Sequence, residues 1–179
     1  MKVNNVSVDQ VRAFAEAASA DPAKAVRRQV VEARWVPEDG PVQFEGVVKF
    51  ERGEARFQLD NPSFMGGSGQ HPGPFQYCFF GLAACYTGIF ATFASQAGIV
   101  LKSLAIRVEA DINFSRVIGL GEQPPMEEVR VTLSVESDAD PEKIREVEEA
   151  ALQRCPVVYT LRNPIRLVPG LEINPAGRM

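Results

Sequence analysis

Three cysteines, Cys78, Cys85 and Cys155, are the thiols of this 179-residue chain; His71 is the single histidine. A thiolate can attack the O–O bond of a peroxide and be left as a sulfenic acid. A second thiol condenses with that sulfenic acid to a disulfide, which an external thiol or dithiol then reduces by exchange. The cycle needs two cysteines adjacent in space and no metal or bound cofactor. A lone cysteine in apolar surroundings is more often a small buried hydrophobe, so residue type by itself leaves both readings open. Cys78 precedes Cys85 by seven residues, which on a helix places them two turns, about 10.5 Å, apart. That exceeds the limit of about 7 Å for a disulfide, so Cys78 reads as a packing residue and not as a partner of Cys85.

A reactive thiol also needs a lowered pKa, supplied by a basic neighbour or a helix N-terminus. Cys85 lies about ten residues into its expected helix, and the terminal dipole fades within one turn. Cys155 precedes Pro156 at the expected end of another helix, where the dipole opposes a thiolate. Any activating cation must therefore come from tertiary structure.

The elements that would position these groups are legible from periodicity. Residues 7–20 carry Val8, Val11, Phe14 and Ala15 at helical spacing, with Ser7 and Gln10 as a capping box. Asp21-Pro22 opens a second short helix to about Arg28. Strands are expected at Val30–Trp35, at Val42–Phe50 with half-buried alternation, and at Ala55–Leu59 across an Arg52-Gly53 turn. A Gly-, Pro- and Ser-rich loop, 60–74, leads into a long apolar helix over Phe75–Ala97 that stops at Gly98. Val100–Phe114 and Val129–Val135 read as strands. Asp140 caps a helix with Pro141 at its first position, which ends at Cys155-Pro156. Val157–Leu161 and Ile165–Ile173 read as extended. The order predicts an α+β fold with a mostly antiparallel sheet.

Composition narrows the function classes. Apolar residues make up 45% and charged residues 23% of the chain, enough for a core without disulfide staples. A net charge of −4 gives a nucleic-acid partner no electrostatic support. No zinc-finger spacing, Walker loop or dinucleotide fingerprint occurs. The N-terminus has no secretory pattern, so a cytoplasmic location is expected. Residues 61–101 contain no Asp, Glu, Lys or Arg, and 77–94 is long enough to tempt a transmembrane reading. No basic cluster flanks it, and a helix apolar all round equally suits the centre of a globule or a dimer. No membrane association is expected.

Two stretches then carry a family resemblance. RWVPEDGPVQFEGVVKFERGEARFQLDNPSFMGG (34–67) and GPFQYCFFGLAACYTGIFATFASQAGI (73–99) contain an FEG-type hairpin, a D-x-P…GG loop and an Ala83-Ala84-Cys85 core. About 70 residues later comes Arg154-Cys155-Pro156-Val157, trailed by TLRNPI (160–165). The combination resembles the OsmC/Ohr superfamily over roughly residues 30–173. The resemblance implies an OsmC-like fold: an intertwined homodimer whose sheets wrap a central buried helix. It divides the chain into an N-terminal helical extension, 1–29, and an OsmC-like domain, 30–179. It implies that Cys85 is the peroxidatic cysteine and Cys155 the resolving one, with no cofactor and no metal. A small hydrophobic peroxide or ligand and an external thiol or dithiol reductant would be the partners.

Peroxidase members of that superfamily place an arginine in the loop after the first strand and a glutamate at the start of the central helix. Here the matching loop is Val36-Pro37-Glu38-Asp39-Gly40 and the matching helix start Pro74-Phe75-Gln76. Arg34, Arg52 and His71 are the candidate substitutes, with Arg56 nearby. The leading reading is thiol-dependent reduction of organic hydroperoxides by Cys85 and Cys155. The alternative is a non-peroxidatic member that binds a small apolar ligand or acts as a thiol redox sensor. A hot-dog-like acyl-thioester enzyme ranks below both, because the central helix carries no Asp, Glu or His.

Overall fold

The computed structural model describes residues 1–173; the last six residues of the expected 30–179 domain lie outside them. The chain opens with a hairpin that the sequence reading did not anticipate, β1 (Lys2–Val3) and β2 (Val6–Ser7), joined by Asn4-Asn5. Both asparagines have positive φ, 51° and 63°, the geometry of a type I′ turn and one that asparagine tolerates. Helix α1 follows over Val8–Ala20. Its expected capping box is absent: Ser7 makes no side-chain cap bond, since it is held in β2. Asp21 instead caps a single 3-10 turn, Pro22–Ala25, where a longer helix was expected.

Three strands, β3 (Glu32–Trp35), β4 (Phe44–Phe50) and β5 (Gly53–Leu59), form an antiparallel meander. Gly46 sits opposite Ala33, where a Cβ would lie 2.8 Å from the alanine methyl. The expected half-burial of β4 is met only in part: Gly46, Val47 and Val48 are half-buried, whereas Phe44 and Phe50 are exposed, as are Trp35 and Phe57 on the neighbouring strands. Two contacts join this sheet to the next helix. The Tyr77 hydroxyl donates to the Gln58 carbonyl at 2.6 Å, and the rings of Phe57 and Tyr77 meet edge-to-face.

The intervening loop is organised by Asp60, a buried carboxylate. Its Oδ2 accepts from Ser68 N, Ser68 Oγ and Gln70 N at 2.9, 2.6 and 3.1 Å. The Ser68 hydroxyl, more than burial opposes it, holds the Asp60 carboxyl below its ordinary value.

Helix α2 (Pro74–Gln96) starts on a proline at its first position, and Gln76 Oε1 accepts the Gly73 N–H at 2.7 Å. It stops before Gly98, whose φ of 73° is left-handed. Leu82, Tyr86, Phe90 and Ala94 recur every fourth residue and form its buried face. Phe80, on the opposite face, is exposed, as is Cys78 near the helix start. Length and composition alone would also allow α2 to span a bilayer. Strands β6 (Leu101–Glu109) and β7 (Arg130–Ser137) pair antiparallel, with Leu104, Ile106, Val131, Leu133 and Val135 directed to the core. β6 ends five residues before the expected Phe114, at its last ladder partner, Arg130.

Helix α3 (Pro141–Arg154) is capped by Asp140, whose carboxylate accepts from Glu142 N at 2.9 Å. Val157–Leu161 is not extended but lies in a further helix, α4 (Pro156–Arg162), and 165–173 form no strand. Proline ends α3 yet suits the first position of a new helix, so Pro156 turns the chain and restarts it. The 165–173 segment pairs with no strand among the described residues, and Ile165, Leu167, Val168, Leu171 and Ile173 are exposed. The fold is α+β with small antiparallel sheets. Its core gathers Leu82, Tyr86, Phe90, Ala94, Ile99, Val147, Ala151, Cys155 and Val158, where α2 meets α3, α4 and β6.

Candidate functional site

The residue before a proline is pushed out of the helical region, and Cys155 obeys: φ −68°, ψ 120° between two helices. It is at once the C-cap of α3 and the N-cap of α4. That break turns its side chain into the core, where it is fully buried. Cys85 projects from α2 toward the same point and is half-buried. The two sulfurs lie 3.4 Å apart, and both thiols are free. Residues 70 positions apart in the chain thus meet at van der Waals distance. The α3 C-terminus alone would disfavour a thiolate here, but the second helix was not foreseen and changes the surroundings. The Val157 backbone N–H, in the first turn of α4, favours a charged Cys85. Burial outweighs it, and the Cys155 thiol adds to burial, so Cys85 titrates above the ordinary thiol value.

The other sequence candidates lie elsewhere. Arg34 pairs across β3 and β4 with Glu45, Nη2 to Oε1 at 2.6 Å, on the exposed sheet. Arg52 is an exposed residue of the β4–β5 turn, and Arg56 lines a groove on the same sheet. His71 lines a separate cavity beside the start of α2, with Phe75, Ile112 and Phe114. None of these hydrogen-bonds to either sulfur, and among the described residues no guanidinium does. Cys78, expected to pack, is exposed, two turns before Cys85 on α2. Among the described residues no group of three or more His, Cys, Asp or Glu side chains gathers to hold a metal ion.

An apolar pocket along the central helix, as the ligand-binding alternative requires, has a counterpart in a cavity of about 530 Å³ with Leu82, Tyr86, Val131, Val158, Leu161 and Arg162 among its walls; neither cysteine lines it. One feature was missed from sequence, a polar contact at the edge of the core: the Tyr86 hydroxyl donates to Glu148 Oε1 at 2.6 Å. Burial, then the Glu148 carboxylate, drives the Tyr86 phenol well above its ordinary value. A hydroxyl on the apolar face of α2 was the one available sign, since a buried phenol needs a partner.

Comparison with known proteins follows the same residues. The family model described as OsmC-like protein matches residues 67–169, a span that contains both cysteines. No curated protein matches the sequence. Among solved structures, an OsmC-like protein of Mycoplasma pneumoniae is similar at a TM-score of 0.59 and 18% identity, covering 77% of this chain and 89% of that one. An organic hydroperoxide resistance protein OsmC of Legionella pneumophila is similar at 0.53 and 19% identity, covering 76% and 92%. A putative organic hydroperoxide resistance protein of Vibrio cholerae, with captopril bound in one of its active sites, is similar at 0.51 and 25% identity, covering 78% and 88%.

Proposed function

The chain belongs to the OsmC-like protein family, and from that premise we propose that it reduces small apolar organic hydroperoxides through Cys85 and Cys155. The observation that carries the reading is the 3.4 Å contact between two free thiol sulfurs inside the core. In the first step the Cys85 thiolate attacks the terminal oxygen of ROOH. The O–O bond breaks, ROH leaves once protonated, and Cys85 becomes a sulfenic acid. Cys155 sulfur then displaces hydroxide from Cys85, forming the disulfide and water. An external dithiol returns both cysteines to thiols by exchange. The largely apolar wall of the neighbouring cavity suits an alkyl or aryl R group.

The same reading takes the protein to be a cytoplasmic homodimer. The exposed Trp35, Phe80, Leu167 and Ile173 support a second copy covering these faces. Residues 1–29 are then an addition to the OsmC-like domain, tied down where Asn4 Nδ2 donates to the Ile99 carbonyl at 2.8 Å. Net charge −4 supports no nucleic-acid partner.

A second reading is favoured by one observation, the raised pKa of a half-buried Cys85 with no guanidinium hydrogen-bonded to it among the described residues. It makes the pair a slowly oxidised thiol sensor, or leaves the cavity as a binding site for a small apolar ligand. Turnover of cumene hydroperoxide with dithiothreitol separates the readings. Peroxidase function predicts many equivalents consumed per chain and none by Cys85→Ser. Unchanged consumption in Cys85→Ser ends the proposal; a single slow equivalent in the wild type favours the sensor.

A further inference from the structure

The Tyr86–Glu148 bond is a side-chain hydrogen bond between α2 and α3, and its residues lie within two helical turns of the thiol pair along their helices. Tyr86 follows Cys85 directly in α2. Glu148 precedes Cys155 by seven residues, two turns of α3, and so lies on the same helical face. The Tyr86 ring sits in the core cluster that holds Cys155, and its hydroxyl reaches Glu148 Oε1 at 2.6 Å. Around it the α2–α3 contact is made by apolar groups such as Phe90, Val147 and Ala151, with the Arg154 guanidinium stacked over the Phe93 ring at 5.5 Å. Apolar packing resists separation but tolerates small sliding; a short bond to a carboxylate is directional and does not.

We propose that the Tyr86–Glu148 hydrogen bond is the positioning contact that fixes the register of α3 on α2, so that Cys155 meets Cys85. This rests on the redox reading of the pair and adds to it which residues set the encounter. Tyr86 and Glu148 act through the helices and exchange no electrons or protons with the sulfurs. Their effect is on the effective concentration of one thiol at the other, which falls when reacting groups lose alignment.

The dithiol–disulfide equilibrium of the full-length protein in mixtures of reduced and oxidised dithiothreitol reads this effective concentration without any peroxide. Tyr86→Phe keeps the ring and removes the bond, and Glu148→Ala removes the other partner. Each is expected to lower the disulfide equilibrium constant about tenfold, the scale of a lost hydrogen bond to a charged group. The double variant is expected to lose no more than either alone, because the two residues act as one unit. Glu148→Gln keeps an acceptor oxygen and is expected to stay within about threefold of the wild type. Melting temperature is followed in parallel. If Tyr86→Phe and Glu148→Ala lower it but leave the equilibrium constant unchanged, the bond is merely structural and the proposal falls. If Tyr86→Phe does not fold, the Glu148→Ala and Glu148→Gln pair decides: equal constants in both overturn it. A wild-type protein that forms no Cys85–Cys155 disulfide at any ratio refutes the redox reading itself, a result distinct from a normal wild type with insensitive variants.

Discussion

Oxidation of the Cys85–Cys155 pair is the perturbation whose energetic consequence follows most directly from the geometry. The sulfurs already lie 3.4 Å apart, so bonding them closes a loop of about 70 residues with little movement of the helices. In the chain-entropy account, a cross-link over about 70 residues restricts the unfolded chain by about 4.4 kcal/mol at 25 °C. The oxidised protein should then be more stable than the reduced one by about 4 kcal/mol. At about 2–4 °C per kcal/mol for a chain of this size, the melting temperature rises by roughly 9–18 °C. Linkage gives the same number a second meaning. If the disulfide stabilises the fold by that amount, the fold favours the disulfide by about a thousandfold over the unfolded chain. The assay is urea unfolding of the protein oxidised by one equivalent of diamide, against the same sample in excess dithiothreitol. A Cys78→Ser background removes the exposed thiol, and Cys155→Ser serves as the control without a gap. Coincident midpoints, with oxidation verified by mass, would refute the reasoning. So would an oxidised form that unfolds first, because the fold would then have to distort to bridge the two sulfurs.

Two further outcomes are expected. Burial holds Cys85 protonated beyond the ordinary thiol range, so in a Cys78→Ser, Cys155→Ser background its alkylation by iodoacetamide should still be climbing as pH passes that range. The sign is fixed by the chemistry, since only the thiolate reacts and a raised pKa defers it to higher pH; a rate that plateaus at or below neutral pH contradicts this. Phe90 is fully buried at the centre of the core, so Phe90→Ala should cost about 3–5 kcal/mol in urea unfolding, and a loss under 1 kcal/mol would place the core elsewhere.

Much of the fold was legible because local signals agreed with one another. Helix α2 has a proline to open it, a left-handed glycine to stop it and an unbroken apolar run between. Asp140-Pro141 likewise announced α3, and the alternation of Val131, Leu133 and Val135 announced β7. What failed was short or depended on distant contacts. The run Val157–Leu161 is apolar and partly β-branched, a pattern that suits a buried strand as well as a helix. Only its packing against α2 made α4. Two-residue strands carry no periodicity, and an Asn-Asn turn is a weaker hairpin signal than Asn-Gly, which hid β1 and β2.

The site divides in the same way. The cysteines stood out through the resemblance, and α2 and α3 were legible around them. Their meeting point required the break at Cys155, whose extended backbone is dictated by Pro156 but whose direction is not. Tyr86 and Glu148 are 62 positions apart, and nothing in either local sequence links them. Arg34 looked available as a cation because sequence does not reveal its Glu45 partner across the strands, whereas the turn that carries Arg52 was legible but not its distance from the thiols.

The most direct test of the central claim is peptide mapping after the reduced protein meets one equivalent of cumene hydroperoxide. Oxidised and reduced samples are alkylated, digested without reductant and compared by mass. The account predicts a single new cross-linked species joining the peptides of Cys85 and Cys155 within one chain, with Cys78 alkylated as before. Cys85 and Cys155 both recovered as alkylated thiols, or any cross-link that excludes one of them, would contradict it.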